Sequence, residues 1–148
     1  MKSRKGFTLI ELMIVVIIVA VLAAVIVPLM TSRVNKAKWS EAKAAMSQIA
    51  TALRAYVAEN ETITTVIVSP GGGGASLGFK ANELDGKYFA TSDYSILAGA
   101  IYNPATGQLS YTIQATASGA GGRTNAPTGG PLQMVCAAGI TTWNPADL

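Results

Sequence analysis

A chain of 148 residues has room for one folded domain, and half of its residues are apolar while 13% are charged. Its formal charge of +3 comes entirely from Lys2, Arg4 and Lys5, because the remaining Lys and Arg equal the 8 Asp and Glu; a global basic surface made for nucleic acid is thereby excluded. One cysteine, Cys136, and no histidine exclude an internal disulfide and the usual zinc ligand sets.

In chain order, a short basic segment comes first and an apolar run follows. From Leu12 to Met30 there is no charged or polar side chain, and thirteen of these nineteen residues are Leu, Ile or Val. As a helix the run measures about 28 Å, close to the hydrocarbon thickness of a bilayer. Three readings follow. A membrane span leads, since the apolar side chains outweigh the cost of Glu11 at one end. A secretory signal peptide comes second: Lys2, Arg4 and Lys5 form a basic n-region, but the run is long for an h-region and Ala20 and Ala23-Ala24 make a poor cleavage site. A buried core helix comes last, because no water-facing side is present. Glu11 stands at the lip of this run, and a carboxylate there is expected to have a partner. Pro28 lacks the N–H that would bond the Ala24 carbonyl, so a kink or a locally opened turn is expected.

Beyond Met30 the helix is expected to continue to Asn60 with one wet side. Trp39, Ala42, Met46, Ile49, Leu53 and Tyr56 recur at spacings of three and four, and no Gly or Pro interrupts residues 29 to 60. The period then changes. Thr62 to Val68 is β-branched and strand-like, and Pro70 to Gly74 breaks it. Tyr94 to Tyr102 reads as a strand paired across the turn Asn103 to Gly107 with the alternating run Leu109 to Ser118. Leu132 to Ile140 repeats the alternation, with Met134 and Cys136 on its apolar side. Ser118 to Pro131, rich in Gly, Ser, Thr and Pro, reads as a long exposed loop. These elements predict an α+β fold: a long N-terminal helix, apolar and then amphipathic, packed on a small antiparallel β-sheet of three or four strands.

Sharper chemistry finds little support in the residues. Gly71 to Gly74 has no following Lys-Ser/Thr and reads as a turn. Asn82, Glu83, Asp85 and Asp93 match no calcium-loop spacing, so no metal and no cofactor is expected. Cys136 is expected to be a buried, inert thiol. A catalytic domain tethered by one span is the alternative class; without His, and without a serine in a nucleophile elbow, the usual nucleophile and base pairs are absent, and the expectation is a protein that is not an enzyme.

The stretch Lys5-Gly6-Phe7-Thr8-Leu9-Ile10-Glu11-Leu12, followed by the apolar run with Pro28 inside it, resembles the leader and N-terminal helix of type IV pilins and type II secretion pseudopilins. The resemblance covers roughly the first third of the chain. It implies a leader, residues 1–6, cut by a prepilin peptidase between Gly6 and Phe7 with methylation of the new Phe7 amine. Residues 7–30 would be the transmembrane and assembly half of the helix, and residues 31–148 the head, made of the amphipathic helix 31–60 and the sheet 61–148. It implies that Glu11 pairs with the Phe7 amine of its own or a neighbouring subunit, and that the helix near Pro28 opens on leaving the bilayer. The implied function is structural: a subunit of a type IV pilus-like filament, or, as the runner-up, a pseudopilin of a secretion or DNA-uptake system. Its partners would be other copies of itself, the peptidase, an inner-membrane assembly platform and, before assembly, the inner membrane; no nucleic acid binding is indicated. After assembly it would lie in an extracellular filament or a periplasm-spanning pseudopilus. The chain departs from common patterns in having one cysteine where many pilins close a loop with two, and Trp143-Asn144-Pro145 where major pseudopilins carry an Asp-Pro-Trp-Gly-like stretch.

Overall fold

A computed structural model describes residues 6–61, 66–67, 75–97, 100–119, 123 and 125–145. The chain divides into two compact units, Met1–Asn35 and Lys36–Leu148, and the helix α1 (Leu9–Asn60) supplies residues to both.

The 52-residue α1 is continuous through Pro28. Its start is fixed by Thr8 and its end by Glu61, which turns left-handed at φ 50° while its N–H bonds the Val57 carbonyl at 2.9 Å. In the first unit α1 has no buried residue. In the second, Trp39, Ala42, Ala45, Met46, Ile49, Ala50, Leu53 and Val57 are buried. The last member of that stripe is Val57 and not the expected Tyr56, which is half-buried. A step of four after Leu53 keeps the stripe on one face of a helix of 3.6 residues per turn, where a step of three drifts off it.

The second unit holds the sheet. β1 (Val66–Ile67), the described part of the segment expected as a strand from Thr62 to Val68, pairs in parallel with β2 (Ala75–Ser76); the rest of that segment and the Pro70 to Gly74 break lie outside the described residues. A single 3-10 turn, Thr91–Asp93, leads into β3 (Tyr94–Ile96), and β4 (Ile101–Asn103), β5 (Gln108–Ala115), β6 (Leu132–Ala137) and β7 (Ile140–Asn144) follow. The antiparallel sheet has the order β3-β5-β6-β7, with β4 also on β5. The single strand expected over Tyr94 to Tyr102 is thus two: β3 pairs with the end of β5, Tyr94 opposite Ala115, and β4 with its beginning, Asn103 opposite Gln108.

Two turns set the register. Between β4 and β5, Asn103 accepts the Ala105 N–H on its own side chain at 3.0 Å and the Gly107 N–H on its carbonyl at 2.8 Å, and Gly107 takes a positive φ of 67°. Between β6 and β7 the loop is two residues, Ala138 and Gly139, both at positive φ (50° and 82°), the signature of a type I′ hairpin. The expected strand Leu132 to Ile140 therefore ends at Ala137, and Ile140 starts a fifth strand that was not anticipated.

The sheet presents Tyr111, Ile113 and Ala115 from β5 and Leu132, Met134 and Cys136 from β6 to the α1 stripe, and these side chains form one core with Trp39, Phe89 and Tyr94. Trp39 and Phe89 ring centroids lie 5.2 Å apart, and Phe89 and Tyr94 6.0 Å. Alternation along β5 and β6 supplies the apolar face, and the helix covers it.

Candidate functional site

Thr8 and Glu11 begin the helix as a reciprocal cap. The Glu11 Oε2 atom accepts the Thr8 backbone N–H at 2.9 Å and the Thr8 hydroxyl at 2.7 Å, and the Glu11 N–H donates to Thr8 Oγ1 at 3.4 Å. This is the capping box Thr-x-x-Glu, which the sequence spells and which the reading above overlooked. Among the described residues the partner of Glu11 is therefore Thr8, through one carboxylate oxygen. Phe7 stands beside this cap with 78% of its surface exposed. Among the described residues, none beyond its chain neighbour lies within 4 Å of where a Cβ on Gly6 would stand.

From Phe7 to Met30 every large apolar side chain is exposed, the least of them, Ile14, at 52%. Nineteen successive residues without charge or polarity on an uncovered helix form an apolar surface far larger than soluble monomers expose. Pro28 sits inside it, and the Thr31 hydroxyl donates to the Pro28 carbonyl at 2.8 Å, one turn on. Mean hydropathy and length suit a bilayer span.

The head carries polar constellations that the sequence reading missed. Glu41, on α1, accepts three backbone N–H groups: Lys87 at 3.1 Å, Tyr88 at 2.9 Å and Phe89 at 3.0 Å. A Cβ on Gly86 would meet the Glu41 carboxylate and displace it from these donors. Arg123 donates to the Gly86 carbonyl at 3.0 Å and pairs with Asp85 at 2.9 Å. The described part of the segment Ser118 to Pro131 is thus tied down where a simple exposed loop was expected: Lys38 donates to the Asn125 carbonyl at 2.8 Å, Trp39 Nε1 to the Thr128 carbonyl at 3.2 Å, and Pro127 is buried.

Three of the four side chains weighed as calcium ligands, Glu83, Asp85 and Asp93, accept hydrogen bonds from the head. Asp85 accepts the Thr91 N–H and hydroxyl at 2.7 and 2.8 Å, and those bonds, then Arg123, hold its carboxyl below the usual range. Asp93 accepts the Ala90 N–H at 2.9 Å and the Ser118 hydroxyl. Glu83 accepts the Lys80 N–H at 2.7 Å.

One open cavity of about 540 Å³ is lined by Arg54, Tyr102, Leu109 and Cys136 among others. Arg54 there donates to the Tyr111 hydroxyl at 2.7 Å, and burial, with Cys136 beside it, pushes the Tyr111 phenol up to about 12. Cys136 is buried, its Sγ 3.7 Å from the Leu109 carbonyl.

The family model of the prokaryotic N-terminal methylation motif matches residues 1–27. Over 59 residues the chain is 46% identical to type II secretion system core protein G of Pseudomonas aeruginosa, a match covering 40% of this chain and 42% of that protein. Over 65 residues it is 38% identical to a fimbrial protein of the same organism, covering 44% and 42%. Over 115 residues it is 32% identical to the type IV major fimbrial protein FimA of Dichelobacter nodosus, covering 77% of this chain and 64% of that one. The chain therefore spans less than half the length of the first two relatives. No solved structure matches it. At its N-terminus this chain carries the type IV prepilin methylation motif, and it is a relative of type IV fimbrial proteins and of a type II secretion core protein.

Proposed function

We propose that this protein is the structural subunit of a type IV pilus-like filament. The observation that carries the reading is the uncovered apolar half of α1, joined in one helix to a head whose own core is complete without it. Such a surface has two suitable environments, a bilayer and the same surface on other copies. Inserted first in the inner membrane, the chain is cut between Gly6 and Phe7 by a prepilin peptidase, methylated on the Phe7 amine, and passed by an assembly platform into a bundle of helices. Head-to-tail contacts that do not close on themselves give a helical fibre. Its role is structural and not catalytic.

Glu11 registers the incoming subunit in this scheme. Oε2 is taken by Thr8 of its own chain. Oε1 faces no donor among the described residues and is left for the Phe7 ammonium of a neighbour, a pairing that a low-dielectric bundle makes strong and whose loss it makes costly. Pro28 gives the span a turn with one backbone bond fewer, a place for the helix to lengthen when it exchanges lipid for protein. The test is to shear cells that make the protein, image the released material, and determine the mass and N-terminus of its subunit. Thin fibres built from a chain beginning at methylated Phe7 are expected; a subunit beginning at Val25, the product of ordinary signal peptidase, overturns the reading.

The higher identity to the core secretion protein, 46%, favours a second reading, a pseudopilin whose short fibre stays in the periplasm. Fibres long enough to be sheared from the cell surface decide for the pilus.

A further inference from the structure

Four cations, Arg33, Lys36, Lys38 and Lys43, follow the apolar run, and the assembly scheme gives them no role. Cations on both flanks of a span work against the usual charge bias that orients it, which makes their presence on the far side a feature to explain.

The fold adds to them. Lys38 places Nζ 5.3 Å from the Tyr88 ring centroid, and Lys87 places its own 5.2 Å from the same ring. Tyr88 and Lys87 come to this point of α1 because Glu41 holds their backbone N–H groups. Glu41 is the only acid between Arg33 and Arg54 on the helix, and its carboxylate is turned to those backbone donors. Asp85 pairs with Arg123. Neither Lys36 nor Lys87 has a carboxylate partner among the described residues, and both are exposed.

We infer that Lys36, Lys38, Lys87 and Tyr88 form an anchor for anionic phospholipid headgroups at the membrane surface from which α1 emerges. The inference rests on the reading of residues 7–30 as a span. Lys36 and Lys38 follow Met30 by six and eight residues, about 9 and 12 Å of helix. The polar layer of a bilayer is roughly 5 to 8 Å thick on each side. Its negative potential reaches outward by a further Debye length, about 8 Å. A tyrosine with an apolar ring and a polar tip, flanked by lysine amines, is the side-chain set that settles at headgroup level. The phosphate oxygens supply the negative charge that the described residues of the head do not give these amines. Held there, a subunit waiting in the bilayer keeps its head against the membrane until assembly removes it from the lipid.

The experiment uses the full chain reconstituted in nanodiscs, either of phosphatidylcholine alone or of phosphatidylcholine mixed with phosphatidylglycerol. Acylation of the amines of Lys36 and Lys87 is followed by mass spectrometry. Both are expected to react at least about threefold more slowly in the phosphatidylglycerol discs, and molar salt is expected to erase the difference. Equal rates in the two lipids overturn the inference and leave the filament reading standing. Slowing that follows the number of subunits per disc and not lipid charge identifies a second copy as the partner and also overturns it. A chain that fails to co-purify with the discs overturns the span and the inference together.

Discussion

Two stretches of one helix answer to different solvents. From Phe7 to Met30 its apolar side chains are exposed all round; from Trp39 to Val57 one face is buried, with Trp39, Met46, Ile49 and Leu53 at 0%. Propensity favours the Ala-rich second stretch over the first, which is rich in β-branched Val and Ile and holds Pro28, yet both are helical. What separates them is cover. The second is covered by a sheet whose alternating strands supply an apolar face, and no described residue covers the apolar side chains of the first. Function in the first stretch and stability in the second are therefore expected to fail independently when residues are changed.

The largest expected effect lies in the exposed stretch. Glu11→Ala removes the counter-charge of an incoming amine while easing insertion, so processed protein is expected to accumulate in the membrane with almost no sheared filament; Glu11→Gln is expected to be nearly as defective. Quantifying subunit in sheared and membrane fractions tests this, and normal filament yield from both variants would show that the carboxylate only caps its helix.

Next comes the buried stretch. Trp39→Ala opens a cavity in the core and removes the Nε1 bond to the Thr128 carbonyl, and should cost the head about 3 to 5 kcal/mol in urea unfolding followed by near-ultraviolet dichroism. Leu22→Ala, 56% exposed, should leave that unfolding curve where it was. If Leu22→Ala moved it as far, the two stretches would not be independent.

Glu41→Ala should cost about 1 to 3 kcal/mol by stranding three backbone donors, and Gly86→Ala about 1 to 3 kcal/mol by overpacking against the carboxylate. The pair Glu41→Ala/Gly86→Ala should be less destabilised than the sum of the two, since the collision disappears with the carboxylate.

The smallest effects are those of pH on the head. The Asp85 carboxyl lies below its unfolded value, so the stability it contributes is present above about pH 4 and lost as pH falls through its folded value; Asp85→Asn should flatten the acid limb of the curve. Tyr94 and Tyr111 move the other way. Burial raises both phenols, so their contribution is present below about pH 10 and lost as pH climbs beyond it. The Tyr94 hydroxyl is buried with no hydrogen-bond partner among the described residues, so Tyr94→Phe should raise stability by up to about 1 kcal/mol and weaken the alkaline loss.

Period and composition carried most of the fold in the sequence. The alternation around Tyr111 and Ile113 and around Met134 and Cys136, and the helical stripe from Trp39 to Leu53, are patterns that burial itself imposes. β7 left no such pattern: Thr141 and Thr142 both face solvent at a sheet edge, and the I′ turn before it uses Ala138 where Asn or Asp would have signalled it. The clasp of Glu41 on residues 87 to 89 was illegible for another reason. Its acceptor is a side chain but its donors are backbone, so nothing in the identity of Lys87, Tyr88 or Phe89 announces it. Thr8 and Glu11, by contrast, were legible as a capping box, and attention to charge alone obscured that.

Continuity of α1 has a mechanical consequence. A pull on its apolar half reaches Asn60 along covalent bonds and the helix's own hydrogen bonds, but it reaches the segments at Thr128 and at residues 87 to 89 through single side chains, Trp39 and Glu41. The three bonds that converge on Glu41 share one side chain as their point of attachment, so they carry load together. Load arriving along α1 therefore meets the Trp39 and Glu41 contacts first, ahead of the core packing that continues to Leu53.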